Sequence, residues 1–255
     1  MSSRTDSRPH CPAAELAALI RDSESVVALT GAGISVPSGI PDFRTPGKGL
    51  WAKVDPMEVA HIDAFHRDPK RFWGFYRPRF ADLDEKRPNG AHEALAELEA
   101  RGLLAGVITQ NIDRLHGKAG SDRVVEVHGS IATSSCTSCR ASYPLESVGE
   151  LFGADGVATC ACCTGKVKPD VVLFGEVLPE AAMAEAHELC ASADLLLCVG
   201  SSLEVYPVAS LPEVTLDGGG RVAIVTQGAT PYDREAVVKL DGDVVTELEA
   251  VLAAL

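Results

Sequence analysis

The sequence predicts an α/β fold: an open, mostly parallel sheet with helices on both faces, interrupted by two insertions. Short and nearly continuous apolar runs, such as 26–29 and 193–199, alternate with segments whose apolar residues recur at helical spacing. Each run ends in glycine or polar residues, which is where parallel strands form ligand sites. Two segments, near 45–90 and near 131–167, depart from this alternation. The length of 255 residues suits one large domain or two small ones.

The elements follow from these patterns in chain order. Apolar spacing predicts helices over 13–21, 56–65, 69–83, 91–101, 180–190 and 243–254. Apolar runs predict strands over 25–29, 105–109, 124–127, 171–174, 193–199 and 221–226. The polar N-terminus, 1–12, lacks the apolar core of a signal peptide, and we expect a disordered tail there. No apolar run is long enough for a bilayer, and we expect a cytoplasmic protein without membrane contact.

Composition limits the partners. The formal net charge is −13, which argues against binding to nucleic acid. The same charge is compatible with lysine-rich protein substrates, and equally with plain solubility. No G-x-S-x-G, H-E-x-x-H or G-x-x-x-x-G-K-[ST] pattern is present, so the sequence does not support a hydrolase triad or a P-loop.

The stretch 29–44, LTGAGISVPSGIPDFR, follows the first predicted strand. A buried strand that leads into a glycine-rich turn brings backbone N–H groups close to a phosphate. The G-x-G-x-x-G fingerprint of dehydrogenases is not met, so a plain redox-cofactor site is not supported. A tight connection without a ligand remains the alternative.

Eight cysteines include two C-x-x-C pairs, Cys136/Cys139 and Cys160/Cys163. Four thiolates in two such pairs meet at one tetrahedral Zn²⁺, and a four-cysteine site has no open position for water, which predicts a structural zinc. A redox role is the alternative, although a thioredoxin-like context is absent. Cys162 is an extra thiol inside the second pair.

Polar residues at the predicted strand ends form a second candidate constellation. If the sheet is parallel, most of the ends at Leu29, Thr109, Val127, Phe174, Val199 and Thr226 lie along one edge and build one crevice. His128 directly follows one of them and is a candidate general base. A surface or capping histidine is the alternative.

Six motifs in this order resemble the sirtuin family of NAD-dependent protein deacylases: GAGISVPSGIPDFR, TQNID, VHG, the paired C-x-x-C knuckles, VVLFGE and GSSLEVYP. The resemblance runs from about residue 26 to the C-terminus. It implies a Rossmann-like NAD-binding domain formed by 13–45, 90–130 and 168–255. It also implies a small domain formed by a helical insertion, 46–89, and a zinc module, 131–167, with NAD consumed between the two.

The resemblance also implies residue roles. His128 matches the catalytic base. The positions that match NAD-binding residues are Gly31, Ala32, Ile34, Val36, Phe43, Arg44, Gln110, Asn111, Ile112, Asp113, Gly200, Ser201, Ser202, Thr226, Asp243 and Val244. Those that match the segment binding the substrate peptide as an added strand are Val172, Leu173, Phe174 and Gly175. Thr226 stands where the family often has Asn, which puts one hydrogen bond to the adenosine ribose in doubt.

The implied chemistry is acyl transfer from lysine to ADP-ribose. The acyl oxygen attacks C1′ of the nicotinamide ribose as nicotinamide leaves. Asp113 and the backbone at Ile112 hold the carboxamide, Phe43 keeps water out, and His128 takes a proton from a ribose hydroxyl. The products are nicotinamide, free lysine and O-acyl-ADP-ribose. The partners are therefore NAD and proteins or peptides that carry acylated lysine.

Three residues bear on the acyl group. Members of the family that remove succinyl or malonyl groups carry a small Ala and a Tyr-x-x-Arg in the helical insertion, and here Ala60, Tyr76 and Arg79 fall at those positions. Ala leaves room for the acyl chain, and Arg pairs well with a carboxylate. We expect removal of acidic acyl groups together with some deacetylation. Mono-ADP-ribosyl transfer to protein and a non-catalytic zinc module that binds NAD or ADP-ribose remain the alternative functions.

Overall fold

The computed structural model describes residues 12–42 and 54–255. Within these residues the α-helices are α1 (Pro12–Asp22), α2 (Pro56–Val59), α3 (Ile62–Arg67), α4 (Pro69–Glu85), α5 (Gly90–Ala100), α6 (Leu115–Ala119), α7 (Leu145–Val148), α8 (Glu180–Ser192), α9 (Leu211–Asp217) and α10 (Val244–Ala254). The strands are β1 (Val26–Thr30), β2 (Gly106–Thr109), β3 (Val124–Glu126), β4 (Gly129–Cys136), β5 (Ser142–Pro144), β6 (Val167–Val171), β7 (Leu195–Val199), β8 (Arg221–Val225) and β9 (Val238–Leu240). A 3₁₀ helix, Ala32–Ser38, follows β1.

The larger sheet is parallel, as predicted. In the described part of the chain its strand order is β3-β2-β1-β7-β8-β9, and each neighbouring pair is parallel. Thr30 at the end of β1 lies opposite Thr109 on β2 and Val199 on β7. The carboxyl ends of the central strands therefore share one edge, which is the edge where open α/β sheets bind ligands.

Helices cover both faces of this sheet because successive strand residues point to opposite sides. Val26 and Ala28 pack in a core with apolar residues of α1, α5 and α10. Val27 and Leu29 pack in a second core with residues of α8 and α9. Burial on both faces explains why the strands read as continuous apolar runs.

The smaller sheet is antiparallel, with the order β5-β4-β6 in the described residues. A third apolar core joins it to the aromatic face of α4, including Trp73 and Tyr76 from the helix and Val167 from the sheet. The Trp73 indole N–H donates to the Val167 carbonyl at 3.1 Å. The helical insertion and the cysteine segment thus pack on each other, and α4 continues through Pro78 as one helix.

Two predicted elements are wrong in detail. The strand expected over 171–174 lies at Val167–Val171 and belongs to the antiparallel sheet, so Phe174 does not end a strand of the parallel sheet. Its buried residues alternate with half-buried Lys168 and Asp170, which is the pattern of a half-buried strand. The helix expected over 56–65 is two helices, because the backbone at Ala60 to Ile62 pairs with Phe174.

The other predicted helices and strands occur within about three residues of their expected bounds. Of the predicted tail, 1–11 lies outside the described residues and Pro12 begins α1. Phe43 and Arg44 also lie outside them. In the described ranges no helix is both long and apolar enough to cross a membrane.

Candidate active site

The crevice begins where the loop after β1 touches the turn after β7. The Gly33 N–H donates to the Gly200 carbonyl at 2.7 Å. A Cβ added at Gly33 would lie 2.7 Å from the Gly200 oxygen, and one added at Gly31 would lie 2.9 Å from the Ser201 Cβ. Gly200 itself has φ = 62°. Only glycine fits this contact, which fixes the two strand ends together.

Other predicted NAD residues of the first loop differ in exposure. Ile34 is fully buried in the core below α5, whereas Val36 is 44% exposed and Ala32 is half-buried. The Ile34 side chain therefore anchors the loop, and Ala32 and Val36 face outward.

A hydrogen-bond network joins this loop to the residues that follow β2. The Asn111 side-chain amide donates to the Gly31 carbonyl and to the Ser35 hydroxyl, both at 3.1 Å. The Ser35 hydroxyl in turn donates to the Asp113 carboxylate at 2.6 Å. Asn111 and Asp113 are predicted site residues, while Ser35 was missed although it lies inside the glycine-rich motif. Ile112 is half-buried, packs against the third core, and its carbonyl accepts from the Ile131 N–H.

The network extends across the sheet edge to β7 and β3. Gln110 donates from its side-chain amide to the Ser201 hydroxyl at 2.9 Å, and Ser202 next to it is exposed. The Gln110 carbonyl lies 3.0 Å from His128 Nδ1. The predicted residues from three strand ends are thus brought together.

The tautomer of His128 follows from this contact. A carbonyl oxygen only accepts, so Nδ1 carries the proton and Nε2 of the neutral ring keeps its lone pair. Burial lowers the pKa of His128 below the ordinary value of 6.5, and the bond to Gln110 partly opposes this. The ring is therefore neutral near pH 7 and able to accept a proton at Nε2.

A buried pair of histidines below the crevice was not predicted. His116 Nε2 lies 2.9 Å from the Thr30 hydroxyl, and the His92 Nε2 lies 3.4 Å from the Ser35 hydroxyl. Burial lowers the pKa of His92 to about 4 and that of His116 to about 3. Nothing in the spacing of these residues marks them, because His92 occupies a core position of α5.

The residues predicted to bind the adenosine end of NAD lie after β8 and at the start of α10. Thr226 follows β8, is 7% exposed, and its N–H donates to the Leu240 carbonyl. Asp243 caps α10, since its carboxylate accepts the N–H groups of Val245 and Thr246 at 3.1 Å. Val244 packs in the first core. The contacts of Asp243 and Val244 are thus with α10 and the core.

The predicted substrate segment lies beside His128. The Val172 N–H donates to the His128 carbonyl at 2.8 Å, and the Phe174 N–H donates to the Ala60 carbonyl at 2.8 Å. Leu173 is buried, whereas Phe174 is 45% exposed. Gly175 has φ = 86°, and a Cβ there would lie 2.7 Å from His61 Nε2. This segment bridges the catalytic candidate and the helical insertion.

The three residues that bear on the acyl group lie on this insertion. Ala60 is 6% exposed, and Tyr76 packs in the same core as Leu173. Burial raises the pKa of Tyr76 to about 12, and the nearby Arg79 charge opposes this shift. The Arg79 guanidinium lies 3.6 Å over the Phe75 ring and donates to the Phe75 carbonyl.

Four cysteines are positioned to bind a structural zinc, as the spacing predicted. The Sγ atoms of Cys136, Cys139, Cys160 and Cys163 lie within 4.8 Å of one another. Two of the Sγ–Sγ distances are 3.5 and 3.6 Å, close to the roughly 3.8 Å of tetrahedral thiolates around zinc. Backbone N–H groups of 138 and 139 point at Cys136 Sγ. Cys162 is exposed and stands outside the cluster.

Comparisons with known proteins agree with this geometry. The Sir2 family profile matches residues 31–207. An NAD-dependent protein deacetylase of Thermotoga maritima is 44% identical over 89% of this chain and 92% of its own length. An NAD-dependent protein deacylase 2 of Pyrobaculum aerophilum is 46% identical over 81% of each chain. A solved structure of Sir2 with a p53 peptide and NAD⁺ superposes with a TM-score of 0.87 at 42% identity, covering 94% of this chain and 96% of that one.

Proposed function

The chain belongs to the Sir2 family of NAD-dependent protein deacylases, and we propose that His128 is its catalytic base, with NAD and an acylated lysine held in the crevice beside it. The observation that carries this proposal is the His128 ring itself. Its Nδ1–H is committed to the Gln110 carbonyl, so the Nε2 lone pair is available to take a proton.

The glycine contact and the Asp113 carboxylate support the binding of NAD in the crevice. Gly31 and Gly33 bring the loop after β1 against Gly200 and Ser201 without side chains in between. Asp113 is 4% exposed, and its position is fixed by bonds from the Ser35 hydroxyl and the Leu115 N–H. A carboxylate held in this way suits the NH₂ group of a carboxamide, and a buried setting limits competing hydrolysis of NAD.

Backbone polar groups of the substrate segment, 172–175, support the binding of the acylated peptide. The N–H groups of Val172, Leu173 and Phe174 donate to other parts of the described structure. The Val172 carbonyl and both backbone polar groups of Gly175 make no hydrogen bond to another described residue. These groups are therefore available to an extended peptide that adds a strand, the mode in which main-chain bonds supply affinity.

The decisive experiment is a mass-spectrometric assay of one peptide carrying acetyl- or succinyl-lysine, with and without NAD. We expect NAD-dependent loss of the acyl group, with nicotinamide and O-acyl-ADP-ribose as products. His128→Ala should abolish the reaction and leave the fold intact. The matched control is His187→Ala, which removes an exposed histidine on α8. Full activity of His128→Ala would refute the assigned base, and ADP-ribosylated protein without free lysine would favour the transferase alternative.

We also propose that the enzyme accepts lysines that carry acidic acyl groups, such as succinyl or malonyl. Ala60 lies next to the substrate segment, and the Arg79 charge acts on the Tyr76 hydroxyl in the adjoining core. A carboxylate near these groups would gain a guanidinium partner. Arg79→Met should lower desuccinylation far more than deacetylation. Arg77→Met is the control, because Arg77 is on the same helix but lies over Phe152. An equal loss of both activities in Arg79→Met would contradict the proposal.

We propose that 46–89 and 131–167 form the small domain, supported by the shared core between α4 and the antiparallel sheet. The remaining segments would form the NAD-binding domain. A cytoplasmic location stays a prediction.

A further inference from the structure

A half-buried ammonium group contacts the residues on both sides of the substrate segment, 172–175. Lys168 on β6 donates from Nζ to the Pro169 carbonyl at 2.9 Å and to the Val171 carbonyl at 2.8 Å. The same Nζ lies 3.0 Å from Glu176 Oε2. The three N–H donors of the ammonium therefore have three acceptors. The two side chains are only 12% and 26% exposed.

The partner carboxylate closes a short loop around the segment. Glu176 Oε2 also accepts the Leu173 N–H at 2.9 Å, and the Glu176 N–H donates back to the Leu173 carbonyl at 3.0 Å. Leu173 thus has both backbone polar groups satisfied inside this turn. Counting bonds between described residues only, the Val172 carbonyl and the two backbone polar groups of Gly175 have no partner, and an incoming strand could use them.

We propose that Lys168 and Glu176 are positioning residues for the acylated peptide: their ion pair fixes the backbone of 171–176 so that the Val172 carbonyl and Gly175 face an added strand. This inference rests on the proposed function, in which 172–175 bind the peptide. Bonds to charged groups are stronger than neutral ones, and a preformed strand edge lowers the ordering cost of binding.

The proposal predicts an effect on peptide binding and not on NAD binding. The His128 end of the segment has its own anchor, the bond from the Val172 N–H to the His128 carbonyl. The glycine contact that forms the NAD side lies on other elements, at Gly33 and Gly200. Loss of the ion pair should therefore loosen 173–176 and leave the base in place.

The test measures the Kd of an acetyl-lysine peptide by fluorescence anisotropy without NAD, and then KM and kcat for both substrates. Lys168→Met should raise the Kd and the KM for the peptide about tenfold, and should change kcat and the KM for NAD less than about twofold. This pattern is expected when a substitution removes an interaction that is equally strong in the ground state and in the transition state. Lys168→Arg, which keeps the charge and the donors, should restore most of the affinity. Glu176→Gln keeps an acceptor for the Leu173 N–H and should give a smaller rise in the same direction.

Lys118→Met is the matched control. Lys118 also donates to two backbone carbonyls, those of Asp84 and Lys86, and lies 3.6 Å from the Asp84 carboxylate. The Lys118→Met variant should have a lower melting temperature and an unchanged affinity for the peptide. Wild-type peptide affinity in both Lys168→Met and Glu176→Gln, or an equal rise of the two KM values, would overturn the inference. Absence of NAD-dependent deacylation by the wild type would instead refute the proposed function.

Discussion

Replacement of Gly33 by alanine should weaken both the fold and NAD binding. The new Cβ would lie 2.7 Å from the oxygen and 2.8 Å from the Cα of Gly200, which are backbone atoms without a rotamer to change. One of the two loops must move, and the 2.7 Å bond between the Gly33 N–H and the Gly200 carbonyl is then lengthened or lost. Overpacking of this kind costs about 1–3 kcal/mol, which in a chain of this size lowers Tm by roughly 2–12 °C.

The assay pairs thermal unfolding with the KM for NAD at saturating peptide. Gly33→Ala should melt lower and show a raised KM for NAD, because the loops after β1 and β7 no longer meet in the same place. Gly74→Ala is the control: Gly74 lies within α4, and a Cβ there meets no atom of the described residues within 4 Å. Alanine should stabilise that helix by up to about 1 kcal/mol. A Gly33→Ala protein with the melting temperature and NAD affinity of the wild type would refute the steric reasoning.

Three further results are expected. Because burial lowers the pKa of His128, the apparent pKa of the acid limb of the kcat/KM profile should lie below 6.5. An apparent pKa above that value would contradict the assigned environment. Purified protein should carry one zinc ion per chain by mass spectrometry and lose it in Cys136→Ala, whereas a metal-free wild type would exclude the site. His92 and His116 have lowered pKa values, so the unfolded state binds more protons below pH 6.5 and the free energy of unfolding should fall from pH 6.5 to 4. Replacing both by Gln should flatten that fall in urea titrations, and identical slopes would speak against buried neutral rings.

The sheet was predictable because its strands are buried on both faces. β1 and β7 have every residue buried, so their sequences carry an uninterrupted apolar signal. The same reasoning fails for 171–174, where an apolar run exists but the backbone leaves the strand. Phe174 there pairs with His61 of the insertion and is 45% exposed, so its apolar character serves a surface and not the core.

Parts of the candidate site that lie within one motif could be proposed from the sequence, and parts that depend on distant pairing could not. Asn111 and Asp113 follow a strand directly, and their position at its end already suggested a ligand site. Ser35 belongs to the candidate site only through its hydrogen bonds with Asn111 and Asp113, which follow a different strand. His92 looks like any polar residue of an amphipathic helix until the fold buries it against His116 at a ring distance of 4.9 Å.

The structure of the glycine-rich loop explains why the dinucleotide fingerprint does not match this sequence. In the dinucleotide fingerprint, glycines of one segment let the backbone approach the pyrophosphate and pack helix against strand. Here the space beside Gly33 is filled by the backbone of Gly200, and a Cβ on Gly200 would in turn lie 2.2 Å from the Ile34 nitrogen. The glycines therefore come from two strand ends, β1 and β7, and the close approach is between two loops. A pattern confined to the first loop cannot include its partner, and substitutions at Gly33 and Gly200 should consequently be coupled and not additive.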